Sequence, residues 1–211
     1  MILYVNGDSH SAGVGVEENK SYAALLARHL NAQLVNQAIV GASNQHILRT
    51  TQDFLKTNHP DLVVIGWSTW EREEWEYKGN FYSINSSGHN NLPDELVDRY
   101  KHWVIEQTPE LVKTKSQELH KQIYQLHQLL TEKGIPHAFF NCMYNVFGIV
   151  QDGELDWNNC YIYPYKNDYS YYWYLKNRGF SSDEWYHYQQ DGHGAWAKFL
   201  IEYIDSHDII R

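Results

Sequence analysis

The chain has 211 residues, of which 43% are hydrophobic, and its formal net charge is −9. This size suits one domain with a substantial core, and the composition excludes a disordered chain. The acidic balance, without any basic run, excludes a general binder of nucleic acid. No apolar run could cross a bilayer and no signal-peptide pattern is present, so we expect no membrane partner and a cytoplasmic location. Cys142 and Cys160 match no zinc spacing and are predicted to be thiols.

The first third of the sequence alternates between apolar runs and amphipathic stretches. Three continuous apolar runs predict buried strands over residues 1–5, 32–38 and 60–68. Between them, residues 21–31 and 43–58 have helical spacing and begin at serines suited to N-capping. This alternation is typical of a parallel sheet covered by helices on both faces, whose sites lie at the carboxyl ends of the strands.

The rest of the sequence is less regular. Residues 73–108 interrupt the alternation and predict an inserted hairpin or loop. A long helix is predicted from Pro109 to about Lys133, followed by a fourth strand in IPHAFFNCM. A closing helix is predicted over 192–204, whereas the aromatic segment 144–182 gives no assignment and no fifth strand.

The stretch GDSHS, residues 7–11, ends the first strand in small and polar side chains. Ser9, just beyond a strand, has the setting of a nucleophile. Taken alone, the same tripeptide Gly-Asp-Ser favours an ordinary turn. Asp8 is predicted to support the turn through backbone hydrogen bonds, and His10 to line a site or lie at the surface.

Three further features accompany this stretch: Gly41 after the second strand, Gly66 after the third, and a late histidine before the closing helix. With them, the sequence resembles the SGNH (GDSL-type) hydrolase superfamily over most of the chain, with residues 73–108 and 144–180 as insertions. The stretches GASNQHILRTT and VVIGWSTWER more closely resemble a subgroup found in tailed-phage and marine viral genomes. The resemblance implies one domain over 1–211, a three-layer α/β/α sandwich with a parallel, flavodoxin-like sheet.

The resemblance also implies site residues. Ser9 would be the nucleophile, and the backbone N–H groups of Ser9 and Gly41 would face the oxyanion. The superfamily usually adds an asparagine two residues after the third-strand glycine, where this sequence has Ser68. Losing one oxyanion donor typically costs about 100- to 1,000-fold in rate. Ser68 and Asn44 are both candidates to supply it, although Asn44 is equally suited to a helix's first turn.

Two histidines compete for the role of general base. The ending His-x-x-x-x-x-His-x-x-Trp-Ala, which resembles that of the subgroup, favours His187 and leaves His193 in the closing helix as a packing or capping residue. Spacing favours Glu184 as the acid that orients His187, with Asp183 as its rival. For His193 the acid would be Asp191. A Ser–His dyad without an acid is a further alternative.

The remaining histidines and charged residues form no pattern that predicts a cofactor site or a metal site. His120 and His127 stand seven residues apart on the long helix, beyond the spacing of a helical ligand pair, and are interpreted as solvated. Glu71 and Arg72 either line the pocket or, as we favour, pair with each other.

Tyr and Trp are concentrated in residues 160–180. Such rings stack on sugar faces, so this segment is a candidate wall of the cleft. A protein–protein interface is the alternative. The sequence thus predicts a serine ester hydrolase that removes O-acetyl or similar groups from a carbohydrate. The alternative is a weakly active or inactive SGNH-fold binding or virion structural protein, associated with the virion if the chain is viral.

Overall fold

The computed structural model describes residues 1–86, 88–89, 92–143 and 155–210. The strands are β1 (Ile2–Gly7), β2 (Gln33–Asn36), β3 (Leu62–Trp67), β4 (Glu73–Tyr77), β5 (Asn80–Asn85), β6 (Gly88–His89) and β7 (His137–Asn141). The α-helices are α1 (Ser9–Ala12), α2 (Tyr22–His29), α3 (Asn44–Phe54), α4 (Asp94–Ile105), α5 (Pro109–Glu132), α6 (Tyr171–Lys176) and α7 (Gln190–Ser206). The four predicted strands and the predicted helices are all present, with ends shifted by a few residues.

Four parallel strands form the central sheet in the order β2-β1-β3-β7. Successive side chains of a strand point to opposite faces, and the two faces have separate cores. Leu3 and Val64 pack with α2 and α7, whereas Tyr4 and Val63 pack with α3 and α5. The result is the expected three-layer α/β/α fold, in which β1, β3 and β7 are buried and the edge strand β2, predicted to be buried, is partly exposed.

The insertion after β3 forms a small antiparallel sheet, β4-β5-β6, and the helix α4. The predicted hairpin is therefore confirmed, and α4 is an addition to it. Trp75 and Trp103 are central to its own apolar cluster. Glu74 of β4 joins the insertion to α3 by accepting hydrogen bonds from Arg49 Nε at 2.8 Å and Nη2 at 2.7 Å.

The aromatic segment 160–180 contributes buried residues to both cores of the fold. Tyr161 forms a single parallel bridge to Phe139, and Tyr171 and Tyr172 of α6 are buried beneath α7. No aromatic side chain of this segment is fully exposed among the described residues. Residues 144–154, the first part of the predicted second insertion, lie outside the described residues.

The interpretation of His120 and His127 as solvated is wrong. Both are 3% exposed, because the α5 face that carries them packs against Trp157. Burial lowers the pKa of His120 to about 4. None of the helices that the structure describes has an apolar stretch of the length that a bilayer requires.

Candidate active site

Ser9 follows directly on the tight turn at Asp8 that joins β1 to the one-turn helix α1. Asp8 caps α1, because its Oδ1 accepts a hydrogen bond from His10 N at 3.1 Å. Ser9 is the first residue of α1, is 5% exposed and lines a cleft at the carboxyl end of the sheet. The stretch is therefore a turn, as its residues alone predict, and the turn presents a serine to a cleft.

Glycine is needed where β1 and β3 end side by side. Gly7 and Gly66 are partners in the parallel register. A Cβ at Gly66 would lie 2.5 Å from Ser11 Oγ and 2.7 Å from Cys142 Sγ, and one at Gly7 would clash with the same Ser11 side chain. This close approach lets α1 sit directly on the strand ends, which fixes the position of Ser9.

The buried carboxylate of Asp8 connects the Ser9 turn to the loop after β3. Its Oδ2 accepts hydrogen bonds from Ser68 Oγ at 3.0 Å and from Arg72 Nη1 at 3.3 Å. Burial would raise the pKa of Asp8, but the charges of His10 and Arg72 and these hydrogen bonds hold it below the ordinary 3.8. Arg72 thus pairs with Asp8 instead of Glu71, and both Glu71 and Arg72 line the cleft.

The two side chains considered for the oxyanion are engaged elsewhere. The Asn44 amide donates to Ser68 O at 2.8 Å and accepts from Ser68 N at 2.7 Å, which fastens the start of α3 to the end of β3. The single hydroxyl hydrogen of Ser68 goes to Asp8. Neither residue is among those lining the cleft, whereas Gly41, with φ of 76°, lines it beside Ser9.

His187 lines the same cleft, with its ring centroid 5.6 Å from that of His10, and is held by Asp183. Asp183 Oδ2 is 3.1 Å from His187 Nδ1, and its Oδ1 accepts the backbone N–H groups of Trp185 and His187. These bonds, the His187 N–H first, hold the pKa of Asp183 below its ordinary value. Tyr186, with φ of 66°, makes the reversal that brings His187 back to Asp183.

Spacing favoured Glu184 as the partner of His187, and the structure corrects this choice. Glu184 is exposed, and the described hydrogen bond of His187 Nδ1 is accepted by Asp183 Oδ2. The reason is local: the tight loop reverses the chain between Asp183 and His187, and the neighbouring side chain points to solvent. Asp191, the acid considered for His193, is exposed and accepts a hydrogen bond from Gly192 N.

His193 is a buried residue of α7. It is fully buried, and its Nδ1 accepts the Tyr22 backbone N–H at 3.2 Å. Its ring stacks on Tyr22, and Nε2 lies 3.5 Å from Tyr171 Oη. Burial lowers its pKa to about 4. The expected role in packing fits this geometry, and the engaged ring nitrogens leave no lone pair for Ser9.

The cleft has a volume of about 570 Å³. Its lining comes from six segments of the chain: Ser9, His10, Val40, Gly41, Thr69, Glu71, Arg72, Asn85, Met143, Trp185, Tyr186 and His187. Ser9 and His187 share this cleft without a hydrogen bond between them among the described contacts. Unliganded catalytic sites often have such loose geometry.

Sequence analysis missed the aromatic residues of the cleft. Trp185 and Tyr186 are 71% and 47% exposed and line it, whereas no residue of 160–180 does among the described residues. Their position directly before His187 was the available signal. Asn85, from β5, reaches the cleft through the fold of the insertion, which no local sequence pattern indicates.

One cluster away from the cleft has metal-ligand chemistry. His127, His137 and Cys160 place ligand atoms within 4.8 Å of one another. His127 Nδ1 is 2.8 Å from His137 Nε2, and His137 Nδ1 is 2.9 Å from Ile135 O, so these nitrogens already have partners. Burial raises the pKa of Cys160 to about 11, which keeps it a thiol as predicted. The cluster is therefore satisfied by its own hydrogen bonds.

Solved structures with a similar fold include several esterases. TesA is 15% identical, with a TM-score of 0.56 over 98% of this chain and 99% of that chain. A member of the lipolytic protein G-D-S-L family from Veillonella parvula is 12% identical, with a TM-score of 0.51 over 96% and 97%. The acetyl xylan esterase Est2A from the rumen bacterium Butyrivibrio proteoclasticus is 14% identical, with a TM-score of 0.52 over 97% and 63%. These likenesses show a shared fold, that of SGNH hydrolases.

No curated protein matches the sequence. One family model does match it, and its description is a family of unknown function, DUF6071. The match covers residues 5–162, which includes the Ser9 turn, the ends of β2 and β3, and the insertion. The chain therefore belongs to the DUF6071 family, and it carries the fold of an SGNH hydrolase.

Proposed function

We propose that this protein is a serine ester hydrolase, with Ser9 as nucleophile, His187 as general base and Asp183 as the orienting acid. The observation that carries the proposal is the shared cleft of Ser9, Gly41 and His187, with Asp183 on the far nitrogen of the imidazole. A serine, a base and an acid in this relation are the parts that acyl transfer needs.

The proposed reaction has two halves. Ser9 Oγ attacks the ester carbonyl carbon while His187 Nε2 takes the hydroxyl proton, and the backbone N–H groups of Ser9 and Gly41 bind the oxyanion. The intermediate collapses to an acyl-enzyme as His187 returns the proton to the leaving alcohol. Water, deprotonated by His187, then cleaves the acyl-enzyme and releases the carboxylic acid.

The proposed substrate is an O-acetylated carbohydrate. Exposed Trp185 and Tyr186 offer flat rings beside His187, and Glu71 and Asn85 offer acceptors and donors for sugar hydroxyls. The name of Est2A, an acetyl xylan esterase with a similar fold, supports the same class. The exposed rings, rather than the buried segment 160–180, are the proposed sugar platform.

Acetate release tests this proposal. The wild-type protein should hydrolyse p-nitrophenyl acetate and release acetate from acetylated xylan, and Ser9→Ala should abolish both. Ser181→Ala is the matched control, because Ser181 is exposed and does not line the cleft among the described residues. Wild-type hydrolysis of the nitrophenyl ester without acetate release from the polysaccharide would contradict only the carbohydrate substrate.

The second candidate is a binding or virion structural protein that retains the fold with little activity. The engagement of Asn44 and Ser68, which leaves two backbone groups at the oxyanion, favours it. A link to the viral subgroup rests on the sequence resemblance alone. Binding of acetylated xylan without acetate release, equal in wild type and Ser9→Ala, is the result that this candidate predicts.

A further inference from the structure

The proposed oxyanion site has two backbone donors, and neither of the side chains considered for it supplies a third donor. Ser68 donates its hydroxyl hydrogen to Asp8, and the Asn44 side-chain amide is hydrogen-bonded to the Ser68 backbone. In this arrangement neither side chain can donate to the oxyanion unless the loop after β3 rearranges. A strong donor in the cleft would have to come from another residue.

Arg72 lies in the cleft and is a candidate for this role. Its side chain is 23% exposed and lines the cleft together with Ser9 and Gly41. Nη1 is held by three acceptors, Ser68 Oγ at 2.8 Å, Asp8 Oδ2 at 3.3 Å and Ala42 O at 3.4 Å.

The same guanidinium retains unused donors. An arginine has five N–H groups, and among the described contacts only those of Nη1 are used. Among the described residues that line the cleft, Arg72 is also the only lysine or arginine.

We propose that Arg72 is a catalytic residue that donates an N–H to the oxyanion formed when Ser9 attacks the ester. This inference rests on the proposed esterase function and adds a charged donor to it. Charge-assisted hydrogen bonds are about twice as strong as neutral ones. The interaction gains strength as negative charge develops on the carbonyl oxygen, so it stabilises the transition state more than the substrate.

The contact with Asp8 stabilises the positive charge of Arg72 in the cleft and orients its guanidinium group. An ionised carboxylate next to Nη1 compensates for the partial burial of the guanidinium. The planar fork then fixes the remaining nitrogens relative to Nη1, which a flexible lysine would not do. Asp8 thus acts through Arg72 as a positioning residue, besides capping α1.

The test compares Arg72→Ala with the control Arg28→Ala in the hydrolysis of p-nitrophenyl acetate. Arg28 is exposed and donates to Asn19 O, away from the cleft. We expect Arg72→Ala to lower kcat about 100- to 1,000-fold with little change in KM, as for other oxyanion donors. Added guanidinium chloride, at concentrations that do not unfold the protein, should restore part of kcat in this variant alone.

A purely structural Arg72 would give a different pattern. Arg72→Lys keeps a cation for Asp8 but lacks the second terminal nitrogen, so we expect a folded protein with kcat lowered by at least about tenfold. A kcat within about threefold of wild type in either folded variant would overturn the proposal. Loss of activity in Arg72→Ala without guanidinium rescue, together with full activity in Arg72→Lys, would also overturn it. An inactive wild type would instead refute the esterase function itself.

Discussion

Replacing Asp183 by asparagine tests the pairing of acid and base in the proposed site. Asp183 Oδ1 accepts the backbone N–H groups of Trp185 and His187 at 2.9 and 2.8 Å, and Oδ2 lies 3.1 Å from His187 Nδ1. An asparagine keeps the backbone bonds through its amide oxygen, but its NH₂ group then faces Nδ1. The ring proton must move to Nε2, and that nitrogen can no longer accept the Ser9 proton.

The exposure of Asp183 sets the size of the effect. Exchanging a buried orienting carboxylate for asparagine costs about 10⁴-fold in kcat. The Asp183 side chain is 39% exposed, so water screens its charge and can solvate the imidazolium in its place. We therefore expect Asp183→Asn to lower kcat only about 10- to 100-fold, with KM and the melting temperature almost unchanged.

Glu184→Gln is the matched control, because it removes the same charge from the adjacent, exposed position. Rates of p-nitrophenyl acetate hydrolysis should be compared for the two variants and the wild type at one fixed pH. Glu184→Gln should retain activity within about twofold of wild type. Equal losses in both variants, or a larger loss in Glu184→Gln, would refute the geometric assignment of Asp183.

Three other predictions follow from the contacts of single residues. Gly66→Ala should destabilise the fold by about 2–4 kcal/mol in urea unfolding, because the added methyl would lie 2.5 Å from Ser11 Oγ. Burial lowers the pKa of His193 to about 4, so as the pH falls this histidine is protonated in the unfolded chain before it is protonated in the folded protein. The free energy of unfolding should therefore fall by about 3 kcal/mol between about pH 6.5 and pH 4. This acid loss should shrink in His193→Gln and persist in His29→Gln, at an exposed site. Trp185→Ala should raise KM for acetylated xylan several-fold and leave p-nitrophenyl acetate turnover unchanged, so equal effects on both substrates would count against a sugar platform.

The parts of the fold that follow from the sequence are those set by local chemistry. Continuous apolar runs became the strands of the central sheet, and Ser21 and Ser43 cap α2 and α3 as predicted. The choice of His187 over His193 also rests on local spacing. In the structure His193 is enclosed in the core and His187 lines the cleft, and the assignment of His187 as the base stays a prediction.

The remaining features depend on contacts between distant parts of the chain. Arg72 contacts Asp8, which is 64 positions away in the sequence, and no local pattern indicates that Asp8 is its partner and not the adjacent Glu71. His120 is buried because Trp157 covers it, so its position on the helix alone could not reveal its burial. The contact between Asp183 and His187 depends on the left-handed backbone at Tyr186, a residue type for which such a turn is uncommon.

The most direct test of the central claim is covalent labelling of Ser9. An organophosphorus serine probe, followed by digestion and mass spectrometry, should place one adduct per chain on the peptide that contains Ser9. Labelling should vanish in Ser9→Ala and persist in the control Ser181→Ala. A folded wild-type protein that takes up no label, or that is labelled at another serine, would contradict the assignment of Ser9 as the nucleophile.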